Sequence, residues 1–292
     1  KAPDFRQLLL NYTNPTVGYS VMGSSVVQDG VERLIADGET FRTDPINNPD
    51  AIASARDNAA VSAAGLKAER SFSFNLGADY QLTDDIFIKG NLFRNHISNL
   101  IDTWAVAQKD NGQFVFSYRN LENIVTQGIE VESMIKLFNN LTLSVGYQYL
   151  DTFDENVIDQ IEAGTLAYRP AGEIVSKRVT RSNYGGLFGR SKHSGNIKVS
   201  YNFTPLNIDI YFRSIYRGRW GFGDRDGNQI LVGEQEYAQG YFQHNLSIQK
   251  ELGEQWLVDV GANNLFNTNN DFEPTLAGTL WFAGIKFDLK KK

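Results

Sequence analysis

The sequence contains no cysteine, which excludes a disulfide framework and thiolate metal sites and leaves the redox compartment unread. It also lacks any apolar run long enough for a membrane-spanning helix, and its mean hydropathy is only -0.34. That second absence does not exclude a membrane, because in a β-barrel only every second residue faces lipid and the average stays low. Excess positive charge is missing too. A net charge of -6 argues against nucleic acid as a partner, since phosphate binding needs a basic face. Histidine is scarce: His96, His193 and His244 are dispersed, with no spacing for a metal or haem ligand set. The chain opens at Lys1 with no initiator Met, signal peptide or targeting segment, which reads as processing or as membership of a longer polypeptide.

What is present points to strands. The 12% aromatic content and 26 glycines suit many strands and turns. The stretch 280–289 reads L-W-F-A-G-I-K-F-D-L, with Ala283, Ile285, Phe287 and Leu289 alternating with Gly284, Lys286 and Asp288. That is the period of a strand with one apolar and one polar face. An aromatic near its end suits a membrane-water interface.

Residues 1–10 show no clean alternation, and Pro3 argues against a central strand, so they read as a segment entering a loop. Residues 11–65 are small and polar, broken by Gly18, Gly23, Gly30, Gly38, Pro45 and Pro49. Asp50 as N-cap and Gly65 as C′ residue bracket one short helix near 50–64. Residues 71–82 alternate cleanly, with Phe72, Phe74, Leu76, Ala78, Tyr80 and Leu82 apolar. Further strands are expected at 86–101, 114–137, 141–150, 197–203, 206–212, 242–252, 256–266 and 280–289. The charged region 151–192 and the glycine-rich 218–240 read as loops, as does 267–274.

Nine strands result, and their connections alternate between short turns and longer loops. This asymmetry characterises outer-membrane barrels, and an up-and-down meander is the simplest topology. The class is all-β. A soluble β-sandwich shares the period, but there the aromatics of the apolar face would form a core, whereas in a barrel they meet lipid. Residues 290–292 form a basic tail, read as a solvated end.

Five local motifs, in order along the chain, resemble those of the TonB-dependent outer-membrane transporters. They are K-A-P-D-F-R-Q-L at 1–8, L-K-A-E-R-S at 66–71 with Ala68 where the family has proline, G-I-E-V-E at 128–132, N-N-L-F-N at 263–267, and the terminal strand. Gly284, Phe287 and Leu289 are similar to the C-terminal signal read by the barrel-insertion machinery. The resemblance covers the C-terminal part of a barrel of 22 strands around a plugged lumen. It implies residues 1–65 as an extracellular loop region and 66–292 as the C-terminal barrel portion, with the plug domain outside this stretch. It implies outer-membrane lipid, the plug and the remaining strands as partners, the TonB-ExbB-ExbD energy system, and a surface lipoprotein as a further candidate. No cofactor is expected. Cargo would be an iron-siderophore complex, haem or cobalamin, with glycan or peptide import as alternatives.

In such a protein the work is binding and displacement rather than bond making. Loop residues Tyr168, Arg169, Tyr184, Arg190, Arg217, Arg219 and Trp220 are candidate ligand contacts, because Arg forks hold anions and aromatic rings stack on planar ligands. Inward charges Asp79, Lys89, Glu130, Glu132, Asp209, Arg213 and Asp259 are candidate lumen or plug contacts, or simply a wet lumen wall. His244 falls on the outward face. Gly185-Gly186-Leu187-Phe188-Gly189 lacks the Lys-Ser/Thr of a phosphate loop and reads as flexible. Two competing readings are a barrel-embedded hydrolase, for which no Ser-His pair at fixed spacing speaks, and a structural or partner-docking half-barrel. The denatured intact mass of the native polypeptide separates a part from a whole. It is expected to be at least about twice 32.8 kDa, as 22 strands require, and a mass near 32.8 kDa would indicate a true half-barrel.

Overall fold

The computed structural model describes all residues except 15–17, 44–48, 171–172, 226–227, 274 and 290–292. Pro45, Pro274 and the basic tail 290–292 therefore lie outside the described residues. The first segment carries α1 (Phe5–Leu9), β1 (Asn11–Asn14), β2 (Tyr19–Met22), α2 (Val27–Ala36) and α3 (Ala51–Ala63). The wall follows as β3 (Arg70–Thr83), β4 (Ile86–Gln108), β5 (Phe114–Phe138) and β6 (Leu141–Asp154), then α4 (Glu155–Ala163). It continues with β7 (His193–Phe203), β8 (Ile208–Arg217), β9 (Tyr241–Leu252), β10 (Trp256–Asn263) and β11 (Leu280–Phe287).

Strands β3 to β11 form one continuous antiparallel meander in chain order. The register separates two faces. Leu76, Leu92, Ile129 and Tyr149 stand opposite one another in one row, whereas Asn91, Glu130 and Gln148 share a row on the other face. The apolar face is uncovered: Phe72 is 75% exposed, Leu76 60%, Trp281 72% and Ile285 73%. A sandwich would bury these side chains under a second sheet. Here a single layer presents them outward, the arrangement that only a lipid surround stabilises.

Two inward glycines make room for aromatic rings. Gly128 faces Phe93 across β4 and β5, where an added Cβ would collide with the Tyr149 carbonyl oxygen and approach the Phe93 ring to 2.9 Å. Gly261 and Phe282 repeat the device near the end of the wall. Each ring covers the strand surface that its glycine leaves bare.

The sequence reading is corrected at several points. Residues 4–9 are not loop: Asp4 and Gln7 form a capping box, with reciprocal backbone bonds of 2.9 Å, that starts α1. Residues 11–65 hold a hairpin and a second helix besides α3, whose N-cap Asp50 accepts from the Ala53 N–H at 3.0 Å. The hairpin also breaks the pure meander, since β2 pairs parallel to β5 at Ser20–Val115 and Val21–Phe116, along the edge that β6 takes lower down. Helix α4 interrupts what reads as an irregular loop. Strands β4 and β6 run on to Gln108 and Asp154 because their upper ends pack against protein and carry mixed faces that obscure the alternation. Conversely β8 starts at Ile208, after a 3₁₀ turn closed by Asn207 at φ 51, and β10 stops where Asn264 turns left-handed at φ 50.

The first segment packs on the far end of the β4–β5 hairpin. Ala51, Ala55 and Ala59, spaced four apart, bring α3 close to a core of Met22, Val27, Val31, Phe41, Trp104, Val106 and Val115. Trp104 Nε1 donates to Ser62 Oγ at 2.8 Å, and Asn58 donates to the Val106 carbonyl at 2.9 Å. Glu69 fastens the entry to β3, accepting from the Ile101 N–H at 2.9 Å where β4 passes beyond its partner strand.

Gly128→Val is expected to weaken the wall by about 1–3 kcal/mol, the usual cost of overpacking. The measurement is the fraction of heat-modifiable, folded barrel on unboiled gel electrophoresis. Gly128→Val paired with Phe93→Ala should recover part of the loss, and an unchanged folded fraction in Gly128→Val alone would contradict the packing argument.

Candidate functional site

Three long connections meet at one rim. The β6–β7 loop is sewn to the β8–β9 loop by backbone bonds from Gly185 N to Leu231 O and from Gly189 N to Gly221 O, both 2.7 Å, and by a bridge between Ser191 and Trp220. A buried cluster of Val179, Tyr184, Ile230 and Val232 fills the space between them. The β10–β11 loop joins through Phe222 stacked on Phe272 at 3.9 Å, Asn270 donating to the Gln239 carbonyl at 2.9 Å, and the Arg217–Glu273 ion pair. At its base Asn264 is buried and bonds the backbone of Thr268 and Ala277 at 2.7 to 2.9 Å. The second residue of N-N-L-F-N thus acts as a clasp for this loop.

The loop candidates divide into framework and surface. Tyr184 is 2% exposed, accepts from the Asp154 N–H at 3.2 Å, and has its phenol pushed up to about 12 by burial. It stays protonated at any physiological pH, so it is a neutral hydrogen-bonding group rather than an anionic ligand. Trp220 is 3% exposed and lies 3.9 Å beneath the Arg217 guanidinium. Arg217 also reaches Glu273, Ser191 Oγ and the Gly189 carbonyl, so its fork is fully engaged. Arg219 is half-exposed, 3.8 Å over the Tyr237 ring and paired with Glu234 at 3.1 Å. Arg190 is exposed. Tyr168 lies in a two-residue ladder with Lys177 and Arg178, packed against the Val179, Tyr184, Ile230 and Val232 cluster, with Arg169 next to it in sequence. The structure therefore brings together Arg217, Arg219 and Trp220, with Arg190 on the loop that bridges to them.

The inward charges fall on one face by register. Lys89 stands between Asp79 and Glu132; Glu130 accepts from Asn91 at 3.1 Å and Gln148 at 2.8 Å. Asp209 accepts from Asn202 and Asp259 from Ser247, each at 2.7 Å, while Arg213 lies opposite Lys198. His244 is on the opposite face, stacked on Phe212 at 5.7 Å. At the end of the wall the Phe287 ring leans on Trp256 at 4.5 Å, Gly284 faces Asp259, and Leu289 lies past β11 and is exposed.

Sequence reasoning missed Glu236. Its carboxylate is fully buried and accepts from the N–H groups of Arg225, Val232 and Gly233 at 3.1, 3.0 and 2.9 Å, holding the β8–β9 loop in shape. Nothing in the run E-Q-E marks it, because the acceptor role depends on backbone amides distant in pattern. Among the described residues no group of histidines and carboxylates has the geometry of a metal site.

A one-layer antiparallel wall, apolar outside and polar inside with its long loops at one rim, defines an outer-membrane β-barrel. Residues 2–265 match the family described as TonB dependent receptor-like, beta-barrel, and the chain belongs to that family, whose members are transporters of the bacterial outer membrane rather than enzymes. No curated protein sequence matches. Among solved structures it is similar to a mutant of the ferric enterobactin receptor from Pseudomonas aeruginosa (TM-score 0.52, 16% identity, 76% of this chain and 31% of that one). It is also similar to the siderophore receptor PirA from Pseudomonas aeruginosa (TM-score 0.45, 15% identity, 77% and 30%). At such identities the likeness is one of fold. This chain spans about 30% of the length of these receptors.

Glu236→Gln turns an N–H₂ group toward three amide donors and is expected to cost about 1–3 kcal/mol locally. Limited proteolysis in intact membranes should show faster cutting within 218–240 while the wall keeps its heat-modifiable mobility. Equal cutting rates would show that the carboxylate does not hold the loop.

Proposed function

We propose that the chain is the C-terminal barrel portion of an active importer that binds a scarce nutrient outside the cell and passes it across the outer membrane. An iron-siderophore complex is the first candidate cargo, with haem and cobalamin next. The observation that carries the reading is the family match over 2–265 together with a rim in which arginines and aromatic rings from joined loops share one surface. Residues 1–65 belong to the outer loop region and 66–292 to the wall. The rim faces the exterior and the terminal strand ends on the periplasmic side. A plug domain and the remaining strands close the lumen, and the TonB-ExbB-ExbD system drives displacement of the plug.

Arg190 and Arg219 are the anion-binding groups at the surface of the rim, since a guanidinium fork matches catecholate, hydroxamate or carboxylate oxygens. Arg217, Trp220 and Tyr184 hold the rim in shape. Tyr168 and Arg169 form a secondary contact on the same β6–β7 loop as Arg190. The inward charges line the lumen against the plug.

Deleting the gene is expected to abolish growth on one ferric chelate as sole iron source. Arg190→Ala with Arg219→Ala should weaken binding of that chelate to intact cells at least tenfold, about 1.4 kcal/mol, with normal amounts of protein in the membrane. Unchanged uptake of every iron chelate, haem and cobalamin in the deletion strain would overturn the reading.

A further inference from the structure

Charge also occurs on the face of the wall that meets lipid. Phe72 and Phe74 of β3 stand directly opposite His96 and Arg94 of β4, so those two polar side chains share the face of Leu76 and Leu92. The Arg94 row continues to Gln127 of β5 and Asp151 of β6, and Arg70 stands on the same face at the upper end of β3, opposite Ser98. A cation held against hydrocarbon is costly at mid-depth and nearly free at the interface, so height decides what this patch can be. Arg94 lies eight residues beyond Ile86, where β4 leaves a short turn, and His96 ten. At about 3.3 Å per residue and a tilt near 40°, they stand roughly 20 to 25 Å above that turn, the upper edge of an apolar band about 25 Å tall. Arg70, at the far end of β3, stands higher still.

The two carboxylates of the patch are already engaged. Asp151 accepts from Arg181 at 2.9 Å, and Glu155 pairs with His96 at 3.2 Å. Arg94 donates to the Gln127 amide oxygen at 2.5 Å and reaches Glu155 only at 4.0 Å, and its side chain is 54% exposed. Arg70 is exposed and forms no ion pair among the described residues. Two guanidinium groups with spare donors therefore flank the Phe72 and Phe74 rings, at a depth where one end of a ligand is hydrocarbon and the other is hydrated. A guanidinium fork matches phosphate oxygens. Farther round the same face Tyr147 and His193, joined by a 2.7 Å hydrogen bond, add polar-edged rings suited to a sugar. We infer that Arg70 and Arg94 form a binding site, on the outside of the barrel, for the phosphate-bearing head of a glycolipid of the outer leaflet. The inference rests on the proposed orientation, with the rim outside the cell.

The test uses the full-length polypeptide extracted from its native outer membranes in mild detergent, with the glycolipid retained per barrel counted by native mass spectrometry. The expected result is bound glycolipid on the unaltered protein and about tenfold less on Arg70→Gln with Arg94→Gln, the scale of one charge-assisted contact, while heat-modifiable mobility shows the barrel still folded. On the unaltered protein an arginine-selective dicarbonyl should spare Arg70 and Arg94 until the lipid is stripped. Added glycolipid should then restore the protection, and its dephosphorylated form should not. Equal retention in the double variant, protection restored equally by a phospholipid, or protection that survives stripping, as a covering protein would give, each overturns the inference. Orientation is read separately: Ile174→Cys, at a position 92% exposed in the β6–β7 loop, should label in intact cells. Labelling without glycolipid dependence sinks this inference alone, whereas absence of labelling removes the orientation and the inference with it.

Discussion

Alternation of side chains across a hydrogen-bonded register is the constraint on which the rest of this molecule depends. Backbone groups in lipid must be paired within the protein, so the wall has to be a ladder, and once the ladder is set every second residue is committed to lipid. The single layer follows, as does the polar inner face opposite it. A slip of one residue in any pair would carry Glu130 and Glu132 to the lipid side and Ile129 and Val131 to the lumen. Glycines at 128 and 261 are where this strict alternation is relaxed to admit a ring from the next strand.

That same constraint explains how far the sequence could be read. Where one face meets lipid and the other water, the period of two is sharp, and all nine wall strands are legible, 71–82 most clearly. Legibility fails where the chain leaves lipid. The upper ends of β4 and β5 pack on α3 through Trp104, Val106 and Val115, so the covering there is protein rather than lipid and the alternation blurs. The hairpin of β1 and β2 has strands of four residues, too short for a pattern to declare itself.

The rim was legible in composition but not in arrangement. Arginine and aromatic residues in the loops announced a polar, ring-rich surface, yet nothing local distinguishes Arg217, locked by Glu273, Ser191 and the Trp220 ring, from Arg190 at the surface. That distinction rests on contacts with residues 26 and 56 positions away. Glu236 is the sharper case, since its identity as a buried acceptor is visible only once the amides of its loop have converged on it. The family motifs fared differently. Glu69, Gly128 and Asn264 each have a local structural task that their residue type alone can perform, which is why short motifs could carry the resemblance.

The joining of three loops by Tyr184, the Phe222–Phe272 stack and the Asn264 clasp bears on recognition kinetics. Segments that are ordered before a ligand arrives lose little conformational freedom when it binds. Under the proposed function, a rim built this way favours fast, shape-selective capture over slow wrapping. The same contacts couple the loops mechanically, so a push from the lumen side against any one of them would be passed to the other two.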